Sequence, residues 1–574
     1  MGADDPARRA RLVAVARGDE PPDLVIAGAR VFCAFTKEWL EVDVAVADGR
    51  VAGLGDYDGP ERVHAGGRWL VPGLVDAHVH LESSKLTPDE FARTVLRHGT
   101  TAVVTDPHEI ANVLGAEGVE WLLEAGRDLP VEIFVMAPSS VPASRFESPR
   151  GALGLGDMAR ILRHPRALGV AEMMNFPGVV AGDPAELAKL AIAGADRADG
   201  HAPELRGRAL DAYLAAGIHT DHEAVSLPEA LEKRRKGAWV LIREASNARN
   251  LLDLLPLVLE YGPEHTAFCT DDREPDLLLH EGHVNQMCRL AVDAGLAPED
   301  ALLLASLHPA RCHGLRGHGA IAPGWLADLV LLPDLEGFRP DMVWSRGRLV
   351  VEGGEVLWGE RRPVPDWVRS SVRIAPVAAA DLEVPFAGER IRVIGVEAGS
   401  LITAAETREP RLAGGLAVAD PEGDVAKIAV VERHHAIGRI GKGFVTGFGL
   451  RAGAFASTVA HDAHNIVVVG VDDADMAVCV GRLAELGGGI VAAREGRVVE
   501  ELALPVAGLL SDRPAEEVVA ALDALHAALR DMGVTMASPF MTLSFLALSV
   551  IPALKITDHG LVDVERFELV GLEA

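Results

Sequence analysis

The alternation of apolar and polar positions divides the chain into three kinds of stretch. In "DLVIAGARVFCAFTKEWLEVDVAVADGRVAGLG", which begins at Asp23, short apolar runs are broken by Gly and Asp. That is the pattern of short antiparallel strands joined by tight turns. It returns in "GAIAPGWLADLVLLPDLEGFRPDMVWSRGRLVVEGGEVL" from Gly319. The two patches predict one small composite β-sandwich domain, residues 21–70 plus 318–375, preceded by an N-terminal extension of residues 1–20.

Between the flanks, over residues 71–317, strand-like runs alternate with helical stretches: "GTTAVVTDP", "VEIFVMAPSS", "ALGVAEMMNF", "ADGHAP", "GIHTDHE", "AWVLIRE" and "TAFCTDD". Repeated β-then-α units predict a parallel sheet, and about eight of them close a TIM-like (β/α)8 barrel. Each run ends in polar residues, and in a barrel those ends form the catalytic face. From residue 376 a new alternation, "ERIRVIGVEAG" to "FASTVAHDAHNIVVVGV", precedes the helical "DADMAVCVGRLAELGGG" and "PAEEVVAALDALHAALRDMG". It predicts a separate C-terminal α+β domain, residues 376–574, with "RIAPVAAADLEVP" as the linker.

Composition narrows the partners. With 84 acidic against 55 basic residues the 574-residue chain carries a formal charge of -29, which repels phosphate backbones and anionic lipid surfaces. Nucleic acid and membrane are therefore not expected as partners. The five cysteines are scattered, without a C-x-x-C pair, which argues against a disulfide framework and a thiolate zinc site. The opening "MGADDPARRARLVAVARGDE" has no apolar core of a secretory signal. "FMTLSFLALSVIPALKI" is interrupted by Thr542, Ser544, Ser549, Pro552 and Lys555. A soluble, cytoplasmic protein is expected.

Candidate chemistry lies at the strand ends. In "VDAHVHLESS", His78 and His80 are two apart, and on a strand positions i and i+2 face one side, so both imidazoles can aim at one point. Later runs add Glu172, His201, His222 and Asp271 in order. Four imidazoles and two hard carboxylates, with no thiolate, suit Mn, Fe(II) or Zn and suffice for two ions. Glu172 is a candidate bridge and Asp271 a candidate proton carrier. "HEIAN" and "HEAVS" lack the second histidine of H-E-x-x-H, and "HEGH" has it one residue early. His80 and Glu82 match half of the zinc-deaminase pattern, but no P-C-x-x-C follows,.

These residues resemble the amidohydrolase superfamily and, within it, the adenine deaminase family. "VPGLVDAHVHLES" and "HPARCHGLRGHGAIAPGWLADLVLL" carry the superfamily resemblance. The narrower one rests on "HGTTAVVTDPHEIANVLG", "AEMMNFPGV", "FCTDDREPDLLLHEGHVN" and, near the C-terminus, "GFVTGFGLRAGAFASTVAHDAHNIVVVG", "RLAELGGGIV", "LPVAGLLSD" and "PFMTLSFLALSVIP". The resemblance implies a metallo-hydrolase barrel with a binuclear site, and hydrolysis of adenine by water to hypoxanthine and ammonia. It implies His78 and His80 on one ion, His201 and His222 on the other, Glu172 bridging and Asp271 completing the first site. The family commonly works with manganese or iron. His219 in "IHTDHE" stays open as an alternative to His222, and Asp272 as an alternative to Asp271.

For the substrate the candidates are Glu82, Asp106, His108 and Glu109, because they follow the first two barrel strands at the expected mouth. His461, Asp462, His464 and Asn465 of "AHDAHN" either reach the site from the C-terminal domain or serve only that domain's fold. A homo-oligomer, a dimer, is expected. The competing readings are a hydantoinase-like cyclic-amide hydrolase using the same metals, and a non-catalytic barrel scaffold.

Overall fold

A computed structural model describes residues 5–194, 197–397 and 400–574. Eight short strands surround its centre: β1 (Leu74–Val79), β2 (Thr100–Thr105), β3 (Glu132–Ala137), β4 (Ala167–Met173), β5 (Ala198–Gly200), β6 (Thr220–Asp221), β7 (Trp239–Arg243) and β8 (Thr266–Cys269). β1 to β5 pair side by side in one sheet and β6 to β8 in a second. All of these pairings are parallel. Parallel bridges between Ala198 and Ile218 and between Val79 and Asp271 join the two sheets and close the ring.

The closed ring explains why the strands read as apolar runs. β2 and β8 are buried at every position, as expected for strands covered by helices outside and packed side chains inside. Val75, Ala102, Val104, Met136 and Ala171 form one internal cluster, and Ala77, Leu241, Ala267 and Cys269 another. The barrel is thus filled below its catalytic end. The helix Pro88–Leu96 behind β1 starts with Pro at its first turn and buries Phe91, Val95 and Leu96, the arrangement proline's fixed φ favours.

Strands from both flanks lie in one nine-stranded sheet, in which Trp69–Pro72 pairs antiparallel with Leu329–Leu332. Val31, Leu70, Leu329 and Trp344 share its core. Toward the C-terminus, eight strands form a second large sheet. The helix Asp473–Leu486 packs there, with Asp472 capping its first turn and Gly487, at φ +75°, ending it,.

Three segments of this C-terminal part reach the barrel mouth: the turn 458–465 between strands Ala454–Ser457 and Ile466–Gly470, the stretch that begins with helix Pro539–Phe545, and Leu401 just before strand Ala404–Arg408. The first two are pinned from the barrel side: the Ser144 and Ser549 hydroxyls lie 2.6 Å apart, and Asn465 Nδ2 donates to the Ser148 carbonyl at 3.1 Å. Among the described residues, no helix is long and apolar enough to cross a membrane.

Candidate active site

Barrel closure assembles the site. The ring is sealed where the Asp271 amide donates to the His78 carbonyl at 3.0 Å and the His80 amide to the Asp271 carbonyl at 3.3 Å. This places Asp271, two residues beyond the end of β8, against the end of β1. Asp271 takes φ +54° there, a left-handed conformation that Asp tolerates. Glu172 lies near the end of β4, His201 follows β5, and His222 follows β6.

All six side chains meet. His78 Nε2 and His80 Nε2 are 3.3 Å apart, and Asp271 Oδ1 lies 3.6 Å from the first and 3.1 Å from the second. Glu172 spans the cluster with its two oxygens divided between neighbours. Oε1 is 3.5 Å from His80 Nε2, whereas Oε2 is 2.9 Å from His201 Nδ1 and 3.2 Å from His222 Nε2. His80 Nδ1 donates to the Asp106 carbonyl at 3.0 Å, which leaves a lone pair on Nε2 aimed at the cluster.

The electrostatics match a cation site. Burial pushes the Glu172 carboxyl up, but the imidazoles of His201 and His222 outweigh it and hold it well below the usual range. Burial acts likewise on Asp271, and His78, His80 and Arg243 overcome it. Burial would lower the imidazoles of His80 and His222, yet Asp271 holds the first and Glu172 the second well above their ordinary value. Two buried carboxylates thus draw positive charge into one place, as a bound cation would supply. A donor set of imidazole nitrogens and carboxylate oxygens, with no thiolate, fits hard or borderline divalent cations.

The residues left open by sequence separate cleanly. Asp272 Oδ1 accepts from the Ser83 hydroxyl at 2.5 Å, whereas Asp271 Oδ1 is the oxygen beside His78 and His80. His219 Nδ1 donates to the Ala198 carbonyl at 2.9 Å, and its ring neighbours His313 rather than the cluster. Of the four substrate candidates, His108 lines the pocket over the cluster. Glu82, Asp106 and Glu109 are buried behind that wall: Asp106 Oδ2 is 3.3 Å from His108 Nδ1, and Glu82 accepts from the Ile110 amide. From "AHDAHN", His461 and Asp462 line the pocket, while His464 Nδ1 accepts from the Ala460 amide at 3.0 Å and serves its own turn.

Two functional residues had escaped sequence reasoning. Arg243, at the end of β7, pairs with Glu223 and donates to Asp271 Oδ2 at 3.0 Å. Burial opposes its charge, and Glu223 and Asp271 hold it above the ordinary guanidinium value. The signal was present in "LIRE" and "TDHEA", since a charged residue closing an apolar run needs a buried partner. The apolar wall of Leu401, Phe545, Leu548 and Ile551 carries no comparable signal.

Comparison with known proteins places this arrangement. Residues 69–350 match the amidohydrolase family, and residues 400–568 match the adenine deaminase C-terminal domain. The chain is 48% identical to an adenine deaminase of Desulfatibacillum aliphaticivorans over 98% of this chain and 99% of that one. It is 49% identical to an adenine deaminase of Methylobacterium nodulans over 99% of this chain and the whole of that one. The chain belongs to the adenine deaminase family. Among solved structures, a β-aspartyl dipeptidase of Fervidobacterium islandicum AW-1 is 18% identical, with a TM-score of 0.45, over 59% of this chain and 99% of that one. Members of the amidohydrolase family are metal-dependent, and in this adenine deaminase family member the imidazole and carboxylate groups stand where a cation fits.

Proposed function

We propose that the chain deaminates adenine hydrolytically, with two divalent cations, Mn or Fe ahead of Zn. His78, His80 and Asp271 would hold one and His201 and His222 the other, with Glu172 between them. The observation that carries this reading is the division of Glu172, one oxygen toward His80 and the other toward His201 and His222. When bound, such cations supply Lewis acidity that makes water nucleophilic near neutral pH.

The protein's own groups do the rest. Water adds to C6 of the purine and the C6–N6 bond breaks; one water proton ends on N1 and the other leaves with the amine as ammonia. Asp271, held ionised and oriented by Arg243, takes the proton from the attacking water and hands it to the departing amine. Apart from histidine, Arg243 is the cationic side chain among the pocket's lining residues, and it is committed to Glu223 and Asp271. With no free cation to clamp a phosphate, the lining suits a neutral base. The match of residues 400–568 to the adenine deaminase C-terminal domain favours deamination over cyclic-amide hydrolysis.

The deciding experiment follows ammonia release and the ultraviolet change from adenine to hypoxanthine, using protein loaded with Mn(II) and a chelated control. Metal-dependent formation of both products is expected. Metal-loaded protein that leaves adenine unchanged would overturn the reading.

A further inference from the structure

The pocket lining contains a carboxylate without a committed donor. Asp462 lines the same pocket as the metal-ligand cluster and is 2% exposed. Its nearest charged neighbours, His108 Nε2 and His461 Nδ1, both stand 3.7 Å from Oδ1, beyond a hydrogen bond. Oδ2 is buried with no partner. The other acidic groups of the lining are engaged: Asp272 with Ser83, Glu223 with Arg243, and Asp271 and Glu172 with the histidines. A buried carboxylate oxygen left without a donor carries a desolvation cost that a bound ligand can relieve.

The turn that carries Asp462 is rigidly held. The His461 amide donates to the Ser544 carbonyl at 3.1 Å and the His464 amide to the Ala460 carbonyl at 2.7 Å. The His461 ring stacks on Phe545 at 4.5 Å with an interplanar angle of 19°. The carboxylate is therefore set in place before any ligand arrives.

Adenine has two kinds of hydrogen-bond donor, the exocyclic amine and the imidazole-ring N–H. In the deamination proposed above the amine faces the metal-ligand cluster, so the ring N–H is what remains for an acceptor elsewhere in the lining. His108 stands between the two carboxylates: its Nδ1 is 3.5 Å from Glu172 Oε1 and its Nε2 is 3.7 Å from Asp462 Oδ1, so Asp462 borders the same pocket as the cluster, one imidazole ring away from Glu172.

We infer that Asp462, delivered from the C-terminal domain, accepts the N9–H of the purine and makes the site selective for a free base over N9-substituted derivatives. This rests on the deaminase reading and deepens it, because it assigns the C-terminal domain a direct part in substrate recognition.

The test compares two ligands as competitive inhibitors or substrates of the Mn-loaded enzyme. 7-Deazaadenine keeps the N9–H; 4-aminofuro[2,3-d]pyrimidine is its isostere with ring oxygen in that place. The unaltered enzyme should bind the furo compound roughly 100-fold more weakly, the loss expected when a hydrogen bond to a buried charge is not made. In Asp462→Leu, which carries no acceptor, the ratio should collapse toward one, with KM for adenine raised and metal content unchanged. A ratio within about threefold in the unaltered enzyme, or one preserved in Asp462→Leu, overturns the inference. The ligand pair on the unaltered enzyme decides the matter even if the variant fails to fold. Adenine turnover without discrimination between the two ligands sinks this inference alone, whereas no adenine turnover sinks the deaminase reading with it.

Discussion

Arg243 donates to Asp271 through Nη1 at 3.0 Å, gripping the oxygen that faces away from His80 while Oδ1 faces His78 and His80. One carboxylate is thus shared between a permanent cation behind it and the imidazole cluster in front. Removing the guanidinium would take away the donor behind Asp271 and leave Glu223 with the imidazoles of His201 and His222 beside it. Arg243→Met is expected to lower kcat/KM for adenine roughly 10- to 100-fold and to weaken metal retention, the usual cost of losing a group that orients a ligand. Steady-state kinetics and metal analysis after dialysis check this; unchanged values in both would contradict the role.

Glu172→Gln keeps size and shape but removes the charge that faces imidazoles on both sides. Bound metal should fall below one ion per chain and turnover should drop by at least ~10³-fold, since a bridging carboxylate serves both halves of the site. Full activity in this variant would remove the basis of the metal assignment.

His219 and His222 are three residues apart, but only His222 reaches Glu172. His222→Ala should lose metal and activity together. His219→Ala should retain metal content and kcat, with a stability loss of about 1 kcal/mol from the lost hydrogen bond to Ala198. Metal analysis of the two purified variants, run side by side, separates them; metal loss in His219→Ala would reverse the assignment.

Lys555 tests the apolar wall. Its ammonium group donates to the carbonyls of Leu401 and Phe545 at 2.9 and 3.1 Å, and burial pushes its pKa down to about 7. The folded value lies below the unfolded one of about 10.4. Between these values the unfolded chain holds more protons, so this group makes stability rise with pH from about 7 to about 10. Denaturant unfolding of wild type and Lys555→Met, both metal-stripped, should show the wild type gaining on the order of 3 kcal/mol relative to the variant across that window. Parallel pH profiles would contradict it.

The barrel was legible because its signal is local. Each of the seven quoted runs contains a strand, from "GTTAVVTDP" with Thr100–Thr105 to "TAFCTDD" with Thr266–Cys269. Strands buried on both faces need unbroken apolar residues, and the first polar residue beyond them marks the exit to the mouth. The pairing of His78 with His80 was legible for the same reason, since a strand's two-residue period is written in the spacing itself.

Sequence alone therefore determined the fold class, the order in which strand ends deliver imidazoles and carboxylates, and the donor chemistry that suits a divalent cation. It left Asp271 beside Asp272 and His222 beside His219, because choosing within such pairs depends on the backbone after the strand has ended. Tertiary structure separates their positions: the closure of β8 onto β1 brings Asp271 to His78 and His80, and His222 but not His219 lies beside Glu172. It also decided that Arg243 stands behind Asp271 and that Asp462, nearly two hundred positions further along the chain, faces the same pocket. Such contacts join residues whose separation leaves no periodic trace, and they exist only once the packed core has brought distant segments together.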